Sequence, residues 1–357
     1  MNTPLQNFQQ ELARMTADGA LISSELNQRY LTDFSYTDGY LLITPDKAYL
    51  LADSRYTEAA QAEVKNFEIV AVTGGMVGAL ADLICTAGLS TVAVEDATLS
   101  CADFQRLSAE LPCTLNTGAS SMLSKLRQVK LPFELERIAK AQEITDAAFA
   151  HILGYISPDV TERDVALELE FFMRRHGAEA TAFDTIAVSG ASSSLPHGVP
   201  ADRKLQCGFL TMDFGAKYRG YCSDMTRTVV IGHASEEMKQ VYSTVLRAQS
   251  AALEALHEGI SCREADRVAR DVIDGAGYGG AFGHSLGHGV GLYIHESPSL
   301  SPRALPEVVL RRGNVVTVEP GIYLVGKFGC RIEDMVAVEH DGRIRNFTQS
   351  SKQLIEL

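Results

Sequence analysis

Short apolar runs alternate with amphipathic helical patterns over the first 120 residues. Apolar runs bounded by polar residues are typical of strands, and they occur at 20–22, 40–43, 48–52, 68–72 and 91–94. The segments between them that have a helical pattern are 55–65, 76–87 and 101–110. This half of the chain is therefore predicted to be a mixed α/β domain.

A basic segment followed by a proline separates the two halves. Residues 125–131 read KLRQVKL, and the residues from Glu134 onward are strong helix formers. Pro132 suits the first turn of a helix. We therefore predict a boundary near 122–132, with domains at 1–125 and 126–357.

The second half has a different pattern. Helical segments alternate with strand-like stretches punctuated by glycine, the helices being expected at about 133–154, 161–177, 236–257 and 262–276. The strands are spaced for hairpins rather than for βαβ crossovers. The pattern predicts an α+β fold with an antiparallel sheet covered by helices.

The first glycine-punctuated stretch is predicted to be a hairpin that brings two carboxylates together. Two β-rich runs, 209–214 and 223–230, flank a polar turn at 216–220. With Tyr218-Arg219 as a two-residue turn, Asp213 lies opposite Asp224, and opposed residues have Cβ atoms about 4.5–5.5 Å apart. Two ionised carboxylates at roughly 4 Å repel by about 4 kcal/mol at an effective dielectric constant of 20, which a shared proton, an arginine or cations can offset. Two solvated aspartates at different depths are the alternative.

A second hairpin is predicted to bring two glutamates together. Two strand-like runs enclose a loop with three glycines, the runs being 315–319 and 331–338 and the glycines 321, 326 and 329. With the loop centred on Gly326, Glu319 faces Glu333. Both lie in apolar strand contexts, where an unpaired charge is expensive. Two solvated glutamates at strand ends are the alternative.

Histidines are concentrated in one glycine-rich segment. Residues 282–298 read FGHSLGHGVGLYIHESP and contain His284, His288 and His295. Neutral imidazole is the commonest metal ligand and a ready proton carrier, and the glycines indicate backbone that approaches something closely. The segment lacks the GK[ST] and strand context of a phosphate loop. A further histidine, His197, lies in the loop SGASSSLPHGVP, where an ordinary exposed histidine is the default interpretation.

Composition limits the binding partners and the cellular compartment that are expected for this chain. The 357 residues are 46% apolar and carry a formal charge of −13, which argues against broad binding to nucleic acid or an anionic membrane. We find no apolar run of about 18 residues and no apolar signal core in the opening MNTPLQNFQQ. The seven scattered cysteines form no CxxC pair, which fits a reducing cytoplasm.

The candidate residues form a coherent set. Asp213, Asp224, Glu319 and Glu333 carry about −4, which two divalent cations would neutralise, and His288 adds a nitrogen. Such a donor set suits Mn²⁺, Co²⁺, Fe²⁺ or Zn²⁺. Paired metals lower the pKa of a bridging water and stabilise a tetrahedral intermediate. The residues thus predict a two-metal hydrolase.

The order of the motifs resembles that of the pita-bread metallopeptidases, and among them the Xaa-Pro peptidases, prolidase and aminopeptidase P. The motifs are DFG, DMTRT, GHGVGL followed by HE, VEPGIY and RIED. The N-terminal half is similar to the creatinase-type amino-terminal domain of that family, including the run Asp53-Ser54-Arg55-Tyr56. The resemblance covers nearly the whole chain. It implies a creatinase-like α/β domain at 1–125 and, at 126–357, an α+β pita-bread catalytic domain whose curved antiparallel sheet is covered by helices.

The resemblance also implies metal ligands. Asp213 would bind one metal and His288 with Glu319 the other, while Asp224 and Glu333 would bridge both. Two divalent ions per subunit are implied, with Mn²⁺ preferred over Co²⁺, Zn²⁺ or Fe²⁺.

Other roles carry over in the same way. Glu319 would handle protons for the attacking hydroxide and the departing amine, and His295 would hydrogen-bond the scissile carbonyl and its oxyanion. His197 would reach the substrate from the opposite rim. Arg331 matches an arginine close to the metal centre, and His284 falls where some relatives also have a histidine.

Several functions share this fold. The N-terminal domain argues against an aminopeptidase that removes methionine, and the intact ligand set argues against metal-free creatinase chemistry and against a binding module that has lost its ligands. The expected substrates are short proline-containing peptides. An Xaa-Pro dipeptidase is favoured over an Xaa-Pro aminopeptidase or a broader metalloaminopeptidase. Family members usually dimerise, so a homodimer is expected, with 38–40 a candidate contact.

Overall fold

The computed structural model describes residues 2–357, and the chain divides into two units, Met1–Arg127 and Gln128–Leu357. Among the described residues, we find no helix with the length and apolar character that a membrane crossing requires.

The N-terminal unit is built on a mixed six-stranded sheet. Its elements in chain order are α1 (Pro4–Leu12), β1 (Gly19–Ile22), α2 (Glu25–Thr32), β2 (Tyr40–Ile43), β3 (Ala48–Ala52), α3 (Thr57–Glu63), β4 (Glu68–Ala71), α4 (Met76–Ala87), β5 (Thr91–Val94), α5 (Cys101–Glu110), β6 (Thr114–Asn116) and α6 (Ala119–Gln128). The strand order is β4-β3-β2-β1-β5-β6, and β1, β2 and β3 are antiparallel neighbours while the outer pairs are parallel. The predicted α/β class is confirmed, and α1, α2, β6 and α6 are elements that the sequence patterns did not identify.

The C-terminal unit is α+β, as predicted. Its elements are α7 (Pro132–Tyr155), α8 (Glu162–Arg175), β7 (Ala180–Thr181), β8 (Ile186–Ser189), β9 (Gly208–Phe214), β10 (Ala216–Tyr218), β11 (Tyr221–Cys222), β12 (Met225–Ile231), α9 (Glu236–Ala255), α10 (Cys262–Ile273), β13 (Gly287–Gly289), β14 (Glu296–Leu300), β15 (Val315–Val318), β16 (Gly321–Leu324), β17 (Phe328–Arg331), β18 (Asp334–Val338) and β19 (Ile344–Asn346). Its strands pair antiparallel, in the orders β12-β9-β8, β11-β10-β7, β14-β13-β15-β18-β19 and β16-β17.

Helices cover this unit in two pairs with two apolar clusters beneath them. Residues of α7 and α8 pack with β8, β9 and β12 around Phe214 and Met225. Residues of α9 and α10 pack with the strands of the second hairpin around Ile322 and Val336. The burial of these apolar residues therefore holds the strands of the two hairpins in place.

The register of the first hairpin differs from the prediction. The turn is Arg219-Gly220, both with positive φ (45° and 87°), and Asp213 pairs with Thr226 rather than with Asp224. Two positive φ values are what a two-residue hairpin turn requires, and glycine adopts them readily. Tyr218 therefore stays in β10, and the register shifts away from the one that a Tyr218-Arg219 turn would give.

The register of the second hairpin is as predicted. Val318 pairs with Asp334, and Gly321 pairs with Arg331, which is the alignment obtained by centring the turn on Gly326. The prediction of a loop between the two runs is wrong, however, because β16 and β17 pair there as a second ladder.

Candidate metal centre

Three of the predicted acids lie where the two hairpins interrupt their ladders. Asp224 follows β11 and precedes β12, while Glu319 and Glu333 lie between the β15–β18 ladder and the β16–β17 ladder. Asp213 is the penultimate residue of β9, one position before the break. At such breaks the side chains are released from the strict alternation of a strand, so acids from both hairpins can point to one place.

The carboxylates converge on His288 of β13. The Nε2 atom of His288 lies 3.5 Å from Oδ2 of Asp224 and 3.5 Å from Oε1 of Glu319. One ligand atom each from Asp224, His288 and Glu333 lies within 4.8 Å of the others. Asp213 lines the same cleft as Asp224, His288, Glu319 and Glu333. The structure thus brings together all five predicted ligands.

Burial makes this cluster electrostatically unfavourable without cations. Burial, followed by the neighbouring carboxylates, raises the pKa of Asp224 and of Glu333 well above the ordinary range. Burial also raises the pKa of Glu319, although Arg331 opposes that change. The charged forms of these acids are therefore disfavoured by the protein alone.

The donor set fits divalent cations. Oδ1 of Asp213 and Oε1 of Glu333 are buried and accept no hydrogen bond from the protein, and an orphaned buried carboxylate oxygen requires a partner. Carboxylate oxygens together with an imidazole are a donor set that Mn²⁺, Zn²⁺ and related ions accept. A divalent ion would supply the missing partners.

A hydrogen bond fixes the orientation of His288. Its Nδ1 lies 3.1 Å from the carbonyl oxygen of Gly289 and donates to it, which leaves the Nε2 lone pair facing the carboxylates. Burial lowers the pKa of His288 to about 4, which keeps the ring neutral and able to bind a metal.

The nearby glycines are required by close approach. A Cβ at position 287 would overlap the carbonyl oxygen of Thr317, and one at 289 would lie 2.5 Å from the carbonyl oxygen of Ser297. This is the close backbone approach that the glycine-rich pattern indicates.

Arg331 is the cation that faces this cluster, and its side chain is buried. Its Nη2 lies 2.6 Å from Oδ2 of Asp213, and its Nε lies 2.9 Å from Oγ1 of Thr226. Thr226 in turn donates to Oε2 of Glu333 at 2.7 Å. Thr226 therefore connects the arginine of one hairpin to an acid of the cluster. It was not predicted, although it lies within the DMTRT motif.

The other predicted histidines lie around the same cleft, which has a volume of about 560 Å³. The ring of His295 is 4.4 Å from that of His288, centroid to centroid, and His197 lies on the wall formed by the 196–200 loop. His284 also lines the cleft, but its Nε2 is 2.9 Å from the hydroxyl of Tyr323, which accepts from Arg331 at 2.8 Å.

Tyr323 is a second residue that sequence reasoning missed. It belongs to the VEPGIY motif, and the polar tip of a tyrosine in a buried strand was the available signal.

Residues 136–340 match Metallopeptidase family M24, and residues 4–129 match the Creatinase/Prolidase N-terminal domain. A "Xaa-Pro dipeptidase" of Pyrococcus horikoshii is 36% identical over 99% of both chains. The chain therefore belongs to metallopeptidase family M24, a family of metal-dependent hydrolases of peptide bonds, and the predicted resemblance is confirmed.

Solved structures support the same assignment. The "Xaa-Pro dipeptidase from Bacillus anthracis" has a TM-score of 0.95 and is 40% identical, covering 99% of each chain. The X-Pro aminopeptidase from Thermotoga maritima MSB8 has a TM-score of 0.91 and is 38% identical, covering 97% of this chain and 99% of that one. Both the creatinase-like domain and the pita-bread catalytic domain are thus shared with these proteins.

Proposed function

We propose that this protein is an Xaa-Pro dipeptidase that uses two divalent metal ions to hydrolyse the peptide bond before proline. The proposal is carried by the buried cluster of acids and His288, whose oxygens are only partly satisfied by the protein. It is supported by the dipeptidases of Pyrococcus horikoshii and Bacillus anthracis, which are similar over nearly the whole chain.

The roles proposed for the metal ligands are those that the family resemblance implies. Asp213 would bind one ion and His288 with Glu319 the second, while Asp224 and Glu333 would bridge the two. Four carboxylates supply the charge that two divalent ions require, and Mn²⁺ is the preferred choice, with Co²⁺, Zn²⁺ or Fe²⁺ as alternatives. Divalent ions at such a centre polarise a carbonyl and make water a nucleophile near neutral pH.

The remaining steps belong to the protein's own groups. Glu319 would accept the proton of the attacking water and deliver it to the departing proline nitrogen. His295 would donate a hydrogen bond to the carbonyl oxygen as negative charge develops there. His197, Arg331 and His284 would contact the substrate from the walls of the cleft.

An Xaa-Pro aminopeptidase is the second candidate. The X-Pro aminopeptidase from Thermotoga maritima is 38% identical to this chain, between the dipeptidase of Bacillus anthracis at 40% and that of Pyrococcus horikoshii at 36%. A dipeptidase recognises the free carboxylate that follows proline, whereas an aminopeptidase accepts a chain that continues. A metalloaminopeptidase of broader specificity is a third possibility on the same fold.

The test is hydrolysis of matched peptides. Metal-stripped protein would be incubated with Ala-Pro and with Ala-Pro-Ala, with and without Mn²⁺ or Co²⁺, while free alanine is measured. Metal-dependent cleavage of Ala-Pro alone supports the dipeptidase, and cleavage of the tripeptide alone assigns the aminopeptidase. Cleavage of neither by protein with two bound metals refutes both and favours the broader peptidase.

We also propose a cytoplasmic homodimer. The scattered cysteines and acidic charge fit a reducing cytoplasm, and the family resemblance implies dimerisation. Sedimentation equilibrium of the purified protein at several concentrations measures the mass directly. A monomeric mass at all of them rejects the dimer.

A further inference from the structure

A buried ion pair outside the acid cluster includes Glu296, the residue that follows His295 in the chain. Nζ of Lys130 is 3.3 Å from Oε2 of Glu296, and the two side chains are only 1% and 4% exposed. Burying a charge is expensive unless it is paired. Lys130 precedes α7, so the pair joins the start of the C-terminal unit to β14, 166 positions further along the chain.

Glu296 also holds the turn that carries His295. Its Oε1 accepts a hydrogen bond from the backbone N–H of Tyr293 at 3.1 Å, and the N–H of Gly291 donates to the carbonyl of Tyr293 at 3.1 Å. A Cβ at position 291 would lie 2.5 Å from Oε2 of Glu296. The carboxylate is therefore packed directly against the backbone of the 291–296 turn.

The same turn is tied to the first hairpin. The N–H of Cys222, two residues before Asp224, donates to the carbonyl of Gly291 at 2.8 Å. The turn is thus fixed at one end by β11 and along its length by Glu296. His295 lies between Tyr293 and Glu296 and has little freedom to shift while those contacts hold.

Lys130 is itself held firmly in place. Its N–H donates to the carbonyl of Gly313 at 2.8 Å, and its own carbonyl accepts a hydrogen bond from Nε2 of His340 at 3.1 Å. A charged side chain on an anchored backbone gives Glu296 a fixed partner. The position of the carboxylate is therefore set by the body of the C-terminal unit.

We propose that Lys130 and Glu296 are positioning residues that fix the 291–296 turn and, through it, the imidazole of His295 against the cluster. The inference rests on the proposed role of His295 toward the substrate carbonyl. Neither residue lines the cleft. A misplacement of about 1 Å in a catalytic group lowers the rate by about 10²-fold, so the pair acts on the chemical step rather than on substrate affinity.

The test uses Glu296→Gln, Lys130→Met and the double variant in metal-loaded protein. We expect kcat for Ala-Pro, per site with bound metal, to fall about 10²-fold in each single variant while KM changes little. The double variant should lose no more than either single one, because the two residues act as a unit. Glu237→Gln, which removes an exposed carboxylate 3.0 Å from Lys327, is the matched control and should keep the wild-type kcat.

A residue with only a structural role would give a different result. Glu296→Gln would then lower the melting temperature but leave kcat per metal-loaded site unchanged, and that outcome overturns the proposal. If Glu296→Gln does not fold, Gly291→Ala decides, because its methyl group displaces the carboxylate without removing a charge. A wild-type kcat in Gly291→Ala would also overturn the proposal.

A second measurement separates this inference from the proposed function. In ¹⁵N-histidine-labelled, Zn²⁺-loaded protein, the ring signals of His295, identified by their absence in His295→Ala, should shift in Glu296→Gln and stay unchanged in Glu237→Gln. If the wild type cleaves no proline peptide but these signals shift, the function fails and the positioning role stands. If Ala-Pro is cleaved and the signals do not move, the positioning role is rejected.

Discussion

Glu134, near the Lys130–Glu296 pair, should make the stability of the C-terminal unit depend on pH. Its carboxyl is 1% exposed and accepts hydrogen bonds from the N–H of Leu131 at 2.8 Å and the hydroxyl of Tyr221 at 2.9 Å. Burial raises the pKa of Glu134 from its ordinary 4.5 to about 7, although those two donors and Lys130 oppose the change. The folded chain therefore keeps a proton that the unfolded chain releases.

The sign and size of the effect follow from this difference. Between pH 4.5 and about 7 the folded state binds more protons than the unfolded state, so the free energy of unfolding falls as the pH rises. At about 1.4 kcal/mol for each pH unit, the contribution of Glu134 declines by about 3 kcal/mol across this interval. Glu134→Gln keeps one acceptor oxygen for the N–H of Leu131, presents an amide that can donate to the hydroxyl oxygen of Tyr221, and removes the titration.

The assay compares wild type with Glu134→Gln at pH 5, 6, 7 and 8. Urea unfolding would be followed by hydrogen exchange in peptides from α7, which report the C-terminal unit alone. We expect the wild type to lose about 3 kcal/mol relative to the variant between pH 5 and pH 8, since other titrating groups cancel in the difference. A constant difference, or one that grows in favour of the wild type as the pH rises, would refute the reasoning.

Three further results are expected at the metal centre. Asp224→Asn should lose both its bound metal, measured by atomic emission, and its activity. His295→Ala should lose rate and keep its metals. An Asp224→Asn variant with two metals per chain and full activity would reject the bridging role. Thr226→Val removes the hydrogen bonds to Glu333 and Arg331 and should lower metal affinity or activity by about 10–100-fold, and a wild-type metal titration with full activity would contradict this. Saturation with metal at about 100 times its dissociation constant should raise the free energy of unfolding of the wild type by about 2.7 kcal/mol over chelated protein, and calorimetry showing no such rise would argue against a site confined to the folded state.

Much of the catalytic fold was predictable because local signals were strong. Centring the second hairpin on Gly326 gave the observed register, since a glycine at the turn fixes which residues oppose each other. The glycines of the 287–291 run indicated close approach, and the structure shows that Gly287 and Gly289 accommodate the carbonyl oxygens of Thr317 and Ser297.

The wrong turn in the first hairpin and the missed partners of Arg331 have different causes. The first hairpin turns at Arg219-Gly220 because backbone conformation, rather than the midpoint of the polar run, selects the turn. The partners of Arg331 include Asp213 and Thr226, more than 100 positions away. No periodicity within a strand indicates such partners, and Lys130 with Glu296 is a case of the same kind.

The error in the register of the first hairpin did not affect the identity of the clustered acids, and there is a physical reason. Both hairpins are interrupted, at 215–216 opposite 223–224 and at 319–320 opposite 332–333. A Cβ at position 215 would overlap the carbonyl oxygen of Ser223, so the two chains pass at closest approach there. Acids next to such an interruption need not face a partner across a ladder in order to meet. The two interruptions, together with the alignment of Glu319 opposite Glu333 in the second hairpin, gather carboxylates from both hairpins around His288.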